Sequence, residues 1–395
     1  MCYNRPKNEN REDTMKQNVA VKMTIGAICF VNLMYMIPSV AVSGMVAAFP
    51  QYNESTVLLL LTLPNLTGIV GIVTEPLLER WFSRRQLSLA ALLLFFAMGM
   101  VSWGFHTNLP VLIAASAAMG AAYGMQSTVF PLLVSGYFEG EERNQVMGFV
   151  TGMLQLGRVA ATLVGGILAD LQWYYIYACF LLVLVPFVAG WLVLPRNTKQ
   201  PQQQGVSSQG GGYYISQMIR LSAVGFAFAA LYYVVNTHLS LYVEGYQLGG
   251  ASVTGVITAV GSVLAGGIST CFAWIQRYTR RFTMAAALCI MGVGYLVGGL
   301  WIGLPGVAFC MLGASAAMGL FSPCLMLGFA HCATAEKLPT ATAIVLTIVN
   351  VGYFASPYLT GWAAGFLGSG AAVVFLVAGV LAMLCAACSW LVNLK

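Results

Sequence analysis

Twelve long apolar segments restrict the fold of this 395-residue chain more than any other feature of its sequence. An α-helix needs about 20 mostly apolar residues to cross the hydrocarbon core of a bilayer. Charged residues make up 8% of the chain, against about 25% in a typical soluble domain, which excludes a water-soluble enzyme. The sequence therefore predicts an all-α membrane protein with twelve transmembrane helices. We place them at 22–48, 55–77, 86–104, 109–136, 145–169, 173–194, 215–243, 251–275, 283–303, 306–332, 339–366 and 371–393.

A hydrophilic stretch at 195–212 separates the first six segments from the last six. Its Gln, Gly, Ser and Pro content is typical of a flexible linker. We therefore divide the chain into an N-terminal tail (1–21), a first six-helix bundle (22–194), a linker (195–214) and a second six-helix bundle (215–395).

The basic residues indicate the orientation of the helices. Of the 18 Lys and Arg, 17 fall in the tail, the linker or the loops on one side of the membrane. The positive-inside rule makes this side cytoplasmic, with both termini on it, in the cell membrane. The net charge of +6 is thus a topology signal, and we expect no nucleic-acid partner. The expected partners are the lipid bilayer and a small-molecule substrate, and the expected state is a monomer.

The two halves of the sequence repeat each other. The hexapeptide ASAAMG occurs at 115–120 and again at 314–319, an offset of 199. A basic loop reads RWFSRR at 80–85 and QRYTRR at 276–281, an offset of 196. Two parallel six-helix repeats related by an axis along the membrane normal are typical of alternating-access transporters.

These features resemble the major facilitator superfamily across nearly the whole chain. The family's loop between helices 2 and 3 has a Gly, an Asp–basic pair, and a second Gly followed by two basic residues. This chain has ERWFSRR at 79–85, with Glu for Asp, Ser for Gly and one extra residue. The run at 138–143 with Met147-Gly148 looks like the loop between helices 4 and 5 in bacterial members, and 236–244 resembles their seventh helix. The resemblance implies two pseudo-symmetric six-helix bundles around a central cavity.

Two positions depart from the drug–proton antiporters of that family. Ser116 stands where they often carry an Arg in helix 4, and Ala161-Thr162 stands where their fifth helix has Gly-Pro. Both differences argue against a straightforward drug-antiporter interpretation.

Arg158 is the sharpest candidate for substrate binding. It lies near the middle of helix 5, away from every other basic residue, and a charge there costs about 2.5–3.5 kcal/mol even on the lenient insertion scale. Two interpretations remain open: a cavity-lining guanidinium that engages an anionic group of the substrate, or a structural Arg satisfied by carbonyl and amide groups.

Other polar residues at membrane depth are further candidates for the cavity. His238 lies with Asn236 in the outer half of helix 7, opposite a Pro-containing break in helix 1 by the repeat offset. It is either a proton carrier, since the reference pKa of His lies near 6.5, or a hydrogen-bonded core residue. The remaining candidates, which either line the cavity or join helices, are Tyr35, Asn65, Gln126, Gln155, Asn350 and Tyr353.

Charged residues at the cytoplasmic helix ends are predicted to form a gate. Glu79 ends helix 2, where the helix dipole disfavours a negative charge, and a nearby Arg would offset that and hold the halves together in the outward-open state. The loop at 138–143 is expected to be solvated. The gate candidates are Glu75, Glu79, Arg80, Arg84, Arg85, Glu142, Arg143, Arg280 and Arg281.

The function that fits these observations is secondary transport of a small organic solute, with Arg158 favouring an anionic metabolite. Coupling to protons or another ion, or exchange, is expected. A drug or multidrug proton antiporter is the alternative, and a non-transporting receptor or membrane enzyme is a minor one. We expect no catalysis, metal or cofactor, since neither a catalytic cluster nor an ATP-binding motif occurs.

Overall fold

The computed structural model describes residues 7–391 except 196–214, 280–281, 333–337 and 366–369, and some helical residues by their backbone alone. All regular secondary structure in the described part is helical. Eleven helices there are long and apolar enough to cross a membrane, and a further one spans 28 residues. The predicted all-α membrane fold with twelve helices is confirmed.

We number the twelve helices in chain order: α1 (Lys7–Asn32, continued as a 3-10 helix by Leu33–Val40), α2 (Leu59–Leu78), α3 (Arg84–Gly104), α4 (Leu109–Tyr137), α5 (Gly140–Leu171), α6 (3-10 helix Trp173–Val183 continued by Leu184–Val193), α7 (Ile215–Gly245), α8 (Ala251–Thr270), α9 (Thr283–Leu300), α10 (Leu304–Cys332), α11 (Leu338–Gly365) and α12 (Ala371–Leu391).

Three helix boundaries differ from the sequence-based placement. α1 begins at Lys7, within the stretch predicted as a tail. α5 begins at Gly140, so most of the loop predicted at 138–143 is the first turn of a helix. Gly140 has φ +59°, a left-handed conformation that glycine adopts without steric cost, and Glu141 and Glu142 in that turn favour the helix N-terminus. α8 ends at Thr270, where a short helix, Phe272–Thr279, follows.

Each set of six helices has its own apolar core. One core is formed by residues between Val21 and Leu194, and the other by residues between Met218 and Ala386. A third, much smaller cluster combines Leu58 and Leu61 of the first set with Tyr233 of the second. The two sets are therefore packed internally around separate cores.

The repeated ASAAMG sequence corresponds to a repeated helix contact. A Cβ atom on Gly120 of α4 would overlap the backbone of Pro64 in α2. A Cβ atom on Gly319 of α10 would lie 2.7 Å from the carbonyl oxygen of Ala265 in α8. Small residues allow such close backbone approach between membrane helices, so the same motif joins α2 to α4 and α8 to α10.

Candidate substrate site and gates

The helix bundle has two ends that differ in charge and in packing. We call the end that carries Arg80, Arg84, Arg85 and Arg143 the basic end, and the opposite one, which carries Glu54, the distal end. The substrate candidates lie between them.

At the distal end the two halves are in close contact through α5 and α8. A Cβ atom on Gly166 would lie 2.8 Å from the carbonyl oxygen of Ala251, and one on Gly255 would overlap the backbone of Thr162. Ser252 in the first turn of α8 donates its backbone N–H to the carboxylate of Asp170, 3.2 Å from either oxygen. This carboxylate from one half therefore caps a helix of the other.

Towards the basic end the same two helices diverge. Gly148 and Gly152 of α5 have nothing within 4 Å of an added Cβ atom, and neither have Gly266 and Gly267 of α8. Gly152 and Gly267 are exposed, whereas the distal parts of both helices include buried residues on the facing surfaces. The structure is closed at the distal end and open at the basic end.

Arg158 lies where the closed part begins. Its Nη2 atom donates to the hydroxyl of Tyr232 and to Oδ1 of Asn236, both on α7 of the opposite half, at 3.4 Å each. Its Nε atom is buried without a hydrogen-bond partner, and no carboxylate of the described residues forms an ion pair with it. The guanidinium thus joins the halves by two long hydrogen bonds and keeps unused donor capacity.

Tyrosine rings surround this guanidinium. The centroids of the Tyr35 and Tyr123 rings are 4.4 Å apart, and the Tyr353 ring lies 5.0 Å from Tyr233 and 6.3 Å from Tyr232. Tyr123 and Tyr353 are partly exposed, while the other three are buried. An aromatic layer therefore lies beside the guanidinium, between the two halves.

Asn65 connects this layer across the two halves. Its Nδ2 donates to the Tyr233 hydroxyl at 2.9 Å, and that hydroxyl donates to the carbonyl of Leu61 at 2.8 Å. Tyr35 donates to Oδ1 of Asn65 at 3.4 Å. These bonds link α1 and α2 to α7.

His238 lies on the same helix, further towards the distal end. Its Nδ1 is 2.8 Å from the hydroxyl of Thr237, and its Nε2 is 3.8 Å from Oε1 of Glu54, which belongs to the other half. His238 is 4% exposed, whereas the Glu54 side chain is 51% exposed. Partial burial raises the pKa of Glu54 above its ordinary value.

Three of the polar candidates have other surroundings. Gln126 is buried and donates to Ser88 of α3 at 3.0 Å, within the first half. Asn350 donates to the carbonyl of Leu346 in its own helix at 2.8 Å. Gln155, partly exposed, lies about one turn from Arg158 on α5.

Sequence analysis did not identify three of the tyrosines: Tyr123, Tyr232 and Tyr233. The spacing of Tyr232 four residues before Asn236, on one face of a helix, was the available signal.

In the part of the chain that the structure describes, the hydrogen bonds and ion pair of Arg84 and Arg85 in the basic loop stay within the first half. Arg84 pairs with Glu79 and donates to the carbonyl of Leu132 at 3.3 Å. Arg85 donates to the carbonyl of Trp191. Both residues are buried, at 8% exposure each, so the loop braces the first half.

The other gate candidates are dispersed at the basic end. Glu75 is buried, and its Oε1 has no partner. Arg80, Glu142 and Arg143 are exposed, and Arg280 and Arg281 lie outside the described residues. A latch between the halves in the outward-open state stays a prediction.

Comparison with known families identifies the chain. The model of the Major Facilitator Superfamily matches residues 23–273. This chain belongs to the Major Facilitator Superfamily. It is a multi-pass membrane protein of a transporter family, as the resemblance implied.

Individual relatives are more distant. The chain is 30% identical over 171 residues to a triacylglyceride transporter of Mycolicibacterium hassiacum, which covers 41% of this chain and 31% of that protein. The chain thus spans less than a third of that relative.

Solved structures show the same fold. A D-xylose–proton symporter superposes with a TM-score of 0.70 at 16% identity, covering 94% of this chain and 97% of the symporter. A bacterial homologue of the human lysosomal transporter Spinster, solved inward-facing and unoccupied, gives 0.71 at 12% identity, covering 95% and 98%.

Proposed function

We propose that this transporter moves a small organic solute with an anionic group by alternating access. The observation that carries the proposal is the Arg158 guanidinium, which lies between the two halves where α5 and α8 begin to diverge and has no carboxylate partner among the described residues. In this proposal the bundles 22–194 and 215–395 move against each other in a monomer.

The geometry of Arg158 suits a ligand better than a permanent structural bond. A structural Arg in an apolar interface is expected to have its donors paired, yet Nε has no partner and both Nη2 bonds measure 3.4 Å. The planar guanidinium fork matches carboxylate and phosphate geometry in a bidentate manner. An anionic group would supply the missing acceptors.

Binding at this position would also act on the distal gate. Tyr232 and Asn236 belong to the half opposite Arg158. An anion on the guanidinium competes with these two bonds and so weakens a contact that closes the distal end. A ligand shifts a conformational equilibrium only through such differences between states.

Orientation follows from charge. The positive-inside rule makes the basic end cytoplasmic, which places both termini in the cytoplasm of a bacterial cell and makes this conformation inward-open. Coupling to an ion or exchange is part of the proposal. The relatives named for a triacylglyceride and for D-xylose with a proton support an organic solute.

A drug antiporter is the second candidate, favoured by the partly exposed rings of Tyr123 and Tyr353. Aromatic faces bind organic cations. However, Arg158 adjoins the same rings with a fixed positive charge, and its repulsion of a cation favours the anionic solute.

A thermal-shift screen tests the two candidates on the purified transporter. The panel contains monocarboxylates, dicarboxylates and sugar phosphates, with neutral sugars and tetraphenylphosphonium as comparisons. A ligand at 100 times its Kd adds about 2.7 kcal/mol of stability. We expect anions to raise the Tm of the wild type but not that of Arg158→Ala. The anions that stabilise the wild type are then tested for uptake into proteoliposomes. Stabilisation by cations alone would contradict the proposal.

A further inference from the structure

A short helix, Phe272–Thr279, lies between α8 and α9 at the basic end, and we call it the linking helix. Its eight residues form an α-helix about 12 Å long, which is far less than the roughly 30 Å hydrocarbon core of a bilayer. The chain enters it directly from α8, which ends at Thr270, and begins α9 at Thr283. Because both neighbours are membrane helices, the linking helix lies at the boundary of the membrane.

The inner face of the linking helix is fixed to the second half. Phe272 is buried in the core of that half, and Ile275 packs against the same core. These two residues are three apart, so they lie on one face of the helix. The linking helix is thus part of the bundle, and its opposite face points away from the core.

This outer face combines two aromatic rings with a positive charge. Trp274 and Tyr278 are 63% and 75% exposed, and their ring centroids are 5.2 Å apart. Arg277 lies three residues after Trp274, on the same face. It is exposed, and it forms no ion pair with the described residues. The surface therefore offers apolar rings and an unneutralised guanidinium side by side.

We propose that the outer face of the linking helix binds an anionic phospholipid, with the rings among the headgroups and the positive charge of Arg277 on the lipid phosphate. Trp and Tyr are enriched where a membrane meets water, because each has an apolar body and a polar tip. This lipid would bind whichever solute the transporter carries.

The charge of this region selects an anionic lipid over a zwitterionic one. No Asp or Glu occurs between Glu244 and Glu336, whereas Arg277 is followed by Arg280 and Arg281, which lie outside the described residues. The positive-inside rule places the basic end at the cytoplasmic leaflet, whose anionic lipids attract basic residues beside a membrane helix. No nearby acidic residue in this stretch of sequence offsets that attraction.

A second copy of this chain fits the outer face less well. A two-fold contact brings the same patch of both chains together, so the two Arg277 side chains would meet on a surface that has no carboxylate. A bilayer supplies an apolar environment for the rings and a phosphate for the guanidinium at the same depth.

Quenching of Trp274 fluorescence by brominated lipids tests this site. The full-length protein is reconstituted in phosphatidylcholine vesicles that contain a small, equal fraction of brominated phosphatidylglycerol or brominated phosphatidylcholine. The chain has eight tryptophans, so the signal of Trp274 is the difference between the wild type and Trp274→Phe. We expect brominated phosphatidylglycerol to be enriched beside Trp274 by about fivefold, the factor that corresponds to about 1 kcal/mol per basic residue near an anionic surface.

Substitution of Arg277 separates its charge from the rings. Arg277→Gln should make the two brominated lipids quench Trp274 equally, whereas Arg277→Lys keeps the charge and should keep most of the excess. Arg143→Gln is the matched control for charge. Arg143 is exposed at the same end and follows Glu141 and Glu142, so its removal should leave the excess at Trp274 unchanged.

Trp301 is the matched control for the ring. It is 58% exposed and follows α9 at the distal end, and the loop 301–303 carries no basic residue. The difference between the wild type and Trp301→Phe should therefore show equal quenching by the two lipids.

Three results would overturn the lipid site. Equal quenching of Trp274 by both lipids in the wild type would show that the face does not select a headgroup. Quenching by neither would place the face in water or against a second copy. Loss of the excess on addition of soluble glycerol 3-phosphate would assign the site to a free phosphate ester. If Arg277→Gln does not fold, salt replaces it: the excess should vanish at about 1 M, where the Debye length is about 3 Å, and an excess that persists there would contradict the role of charge.

Discussion

The distal and basic ends of this transporter differ in which helices their contacts join. At the distal end, small residues bring α5 and α8 into backbone contact, and a few polar bonds cross between the halves. At the basic end, Arg84 pairs with Glu79, and Arg85 donates to the carbonyl of Trp191, both within one half. The charged end can therefore stay open without breaking these bonds of the buried cations, which would be costly.

The crossing bonds are few enough to be broken repeatedly. A neutral hydrogen bond contributes about 0.5–1.5 kcal/mol net, and moving a two-state equilibrium from 1:99 to 99:1 requires about 5.5 kcal/mol. Hydrogen bonds cross the interface at Asp170, Asn65, Ser240 and Arg158. Their summed contribution is comparable to the free energy needed for such a shift. The distal end thus acts as a gate between the halves, whereas the basic loop stabilises the first half internally.

Among the substitutions that test this difference between the two ends, replacing Arg158 should have the largest effect on transport. We expect Arg158→Ala to abolish transport while the protein stays folded, with equal or higher Tm, because an incompletely paired guanidinium leaves the interface. Arg158→Lys keeps the charge but loses the fork, and should lower transport at least about tenfold, or 1.4 kcal/mol. Transport and Tm are measured on both variants.

A structural role for Arg158 makes the opposite prediction. Lys would then be tolerated, and Ala would lower Tm together with activity. Normal transport by the Ala variant would remove Arg158 from the site.

A large residue at the α5–α8 contact should reverse the gating. Gly255→Leu places a side chain against the backbone of Thr162, so distal closure is blocked and transport should fall roughly tenfold or more, given that overpacking costs about 1–3 kcal/mol. Gly266→Leu on the same helix is the matched control, because nothing lies within 4 Å of it.

Labelling of single cysteines at the two ends reports the change. Gly255→Leu should increase labelling at the distal end and decrease it at the basic end. Equal labelling in both leucine variants would show that this contact does not set the conformation.

Breaking the brace should affect stability more than gating in this conformation. Arg84→Gln leaves Glu79 without its guanidinium partner and removes a bond to Leu132. Hydrogen bonds to charged groups contribute about 1.5–3 kcal/mol, so Tm should fall measurably. The exposed Arg80→Gln is the control; an equal Tm in both variants would contradict the assignment.

The double variant Arg84→Gln/Arg85→Gln tests the latch of the outward-open state. If the basic loop also joins the halves there, labelling from the basic end should rise and transport should fall. Unchanged labelling and transport would restrict the loop to its bracing role.

The smallest effect is expected at the distal cap. Asp170→Ala removes the acceptor for Ser252 N–H, and loss of a helix cap costs about 0.5–2 kcal/mol. Distal labelling should increase by a corresponding factor. Asp170→Asn keeps a capping oxygen and should lie between Ala and the wild type; identical Asn and Ala variants would indicate charge, not capping.

Much of this fold follows from its sequence. Hydropathy and the ASAAMG repeat predicted the helices. Gly120 and Gly319 in this repeat both lie against the backbone of a neighbouring helix, where a larger side chain would not fit. The first turn of α5 was predicted as a loop because Glu141 and Glu142 look solvated in sequence, although acidic residues also favour helix N-termini.

The site was less accessible to sequence reasoning. The mid-helix position of Arg158 is visible in the sequence, but its bonds to Tyr232 and Asn236 depend on how two separately packed halves meet. Gln126 and Asn236 look alike in sequence, and only the tertiary contacts separate a bond within one half from a bond between halves.

The 3-10 segment Leu33–Val40 gives α1 an adjustable length. A 3-10 helix rises about 2.0 Å per residue against 1.5 Å in an α-helix, so these eight residues extend about 4 Å further than they would in α form. Val40 at the tip accepts the bond from Ser240 of the other half. Rewinding the segment would retract that tip by about three quarters of an α-helical turn, an axial movement that takes the end of α1 away from α7 while the rest of the helix stays fixed in its core.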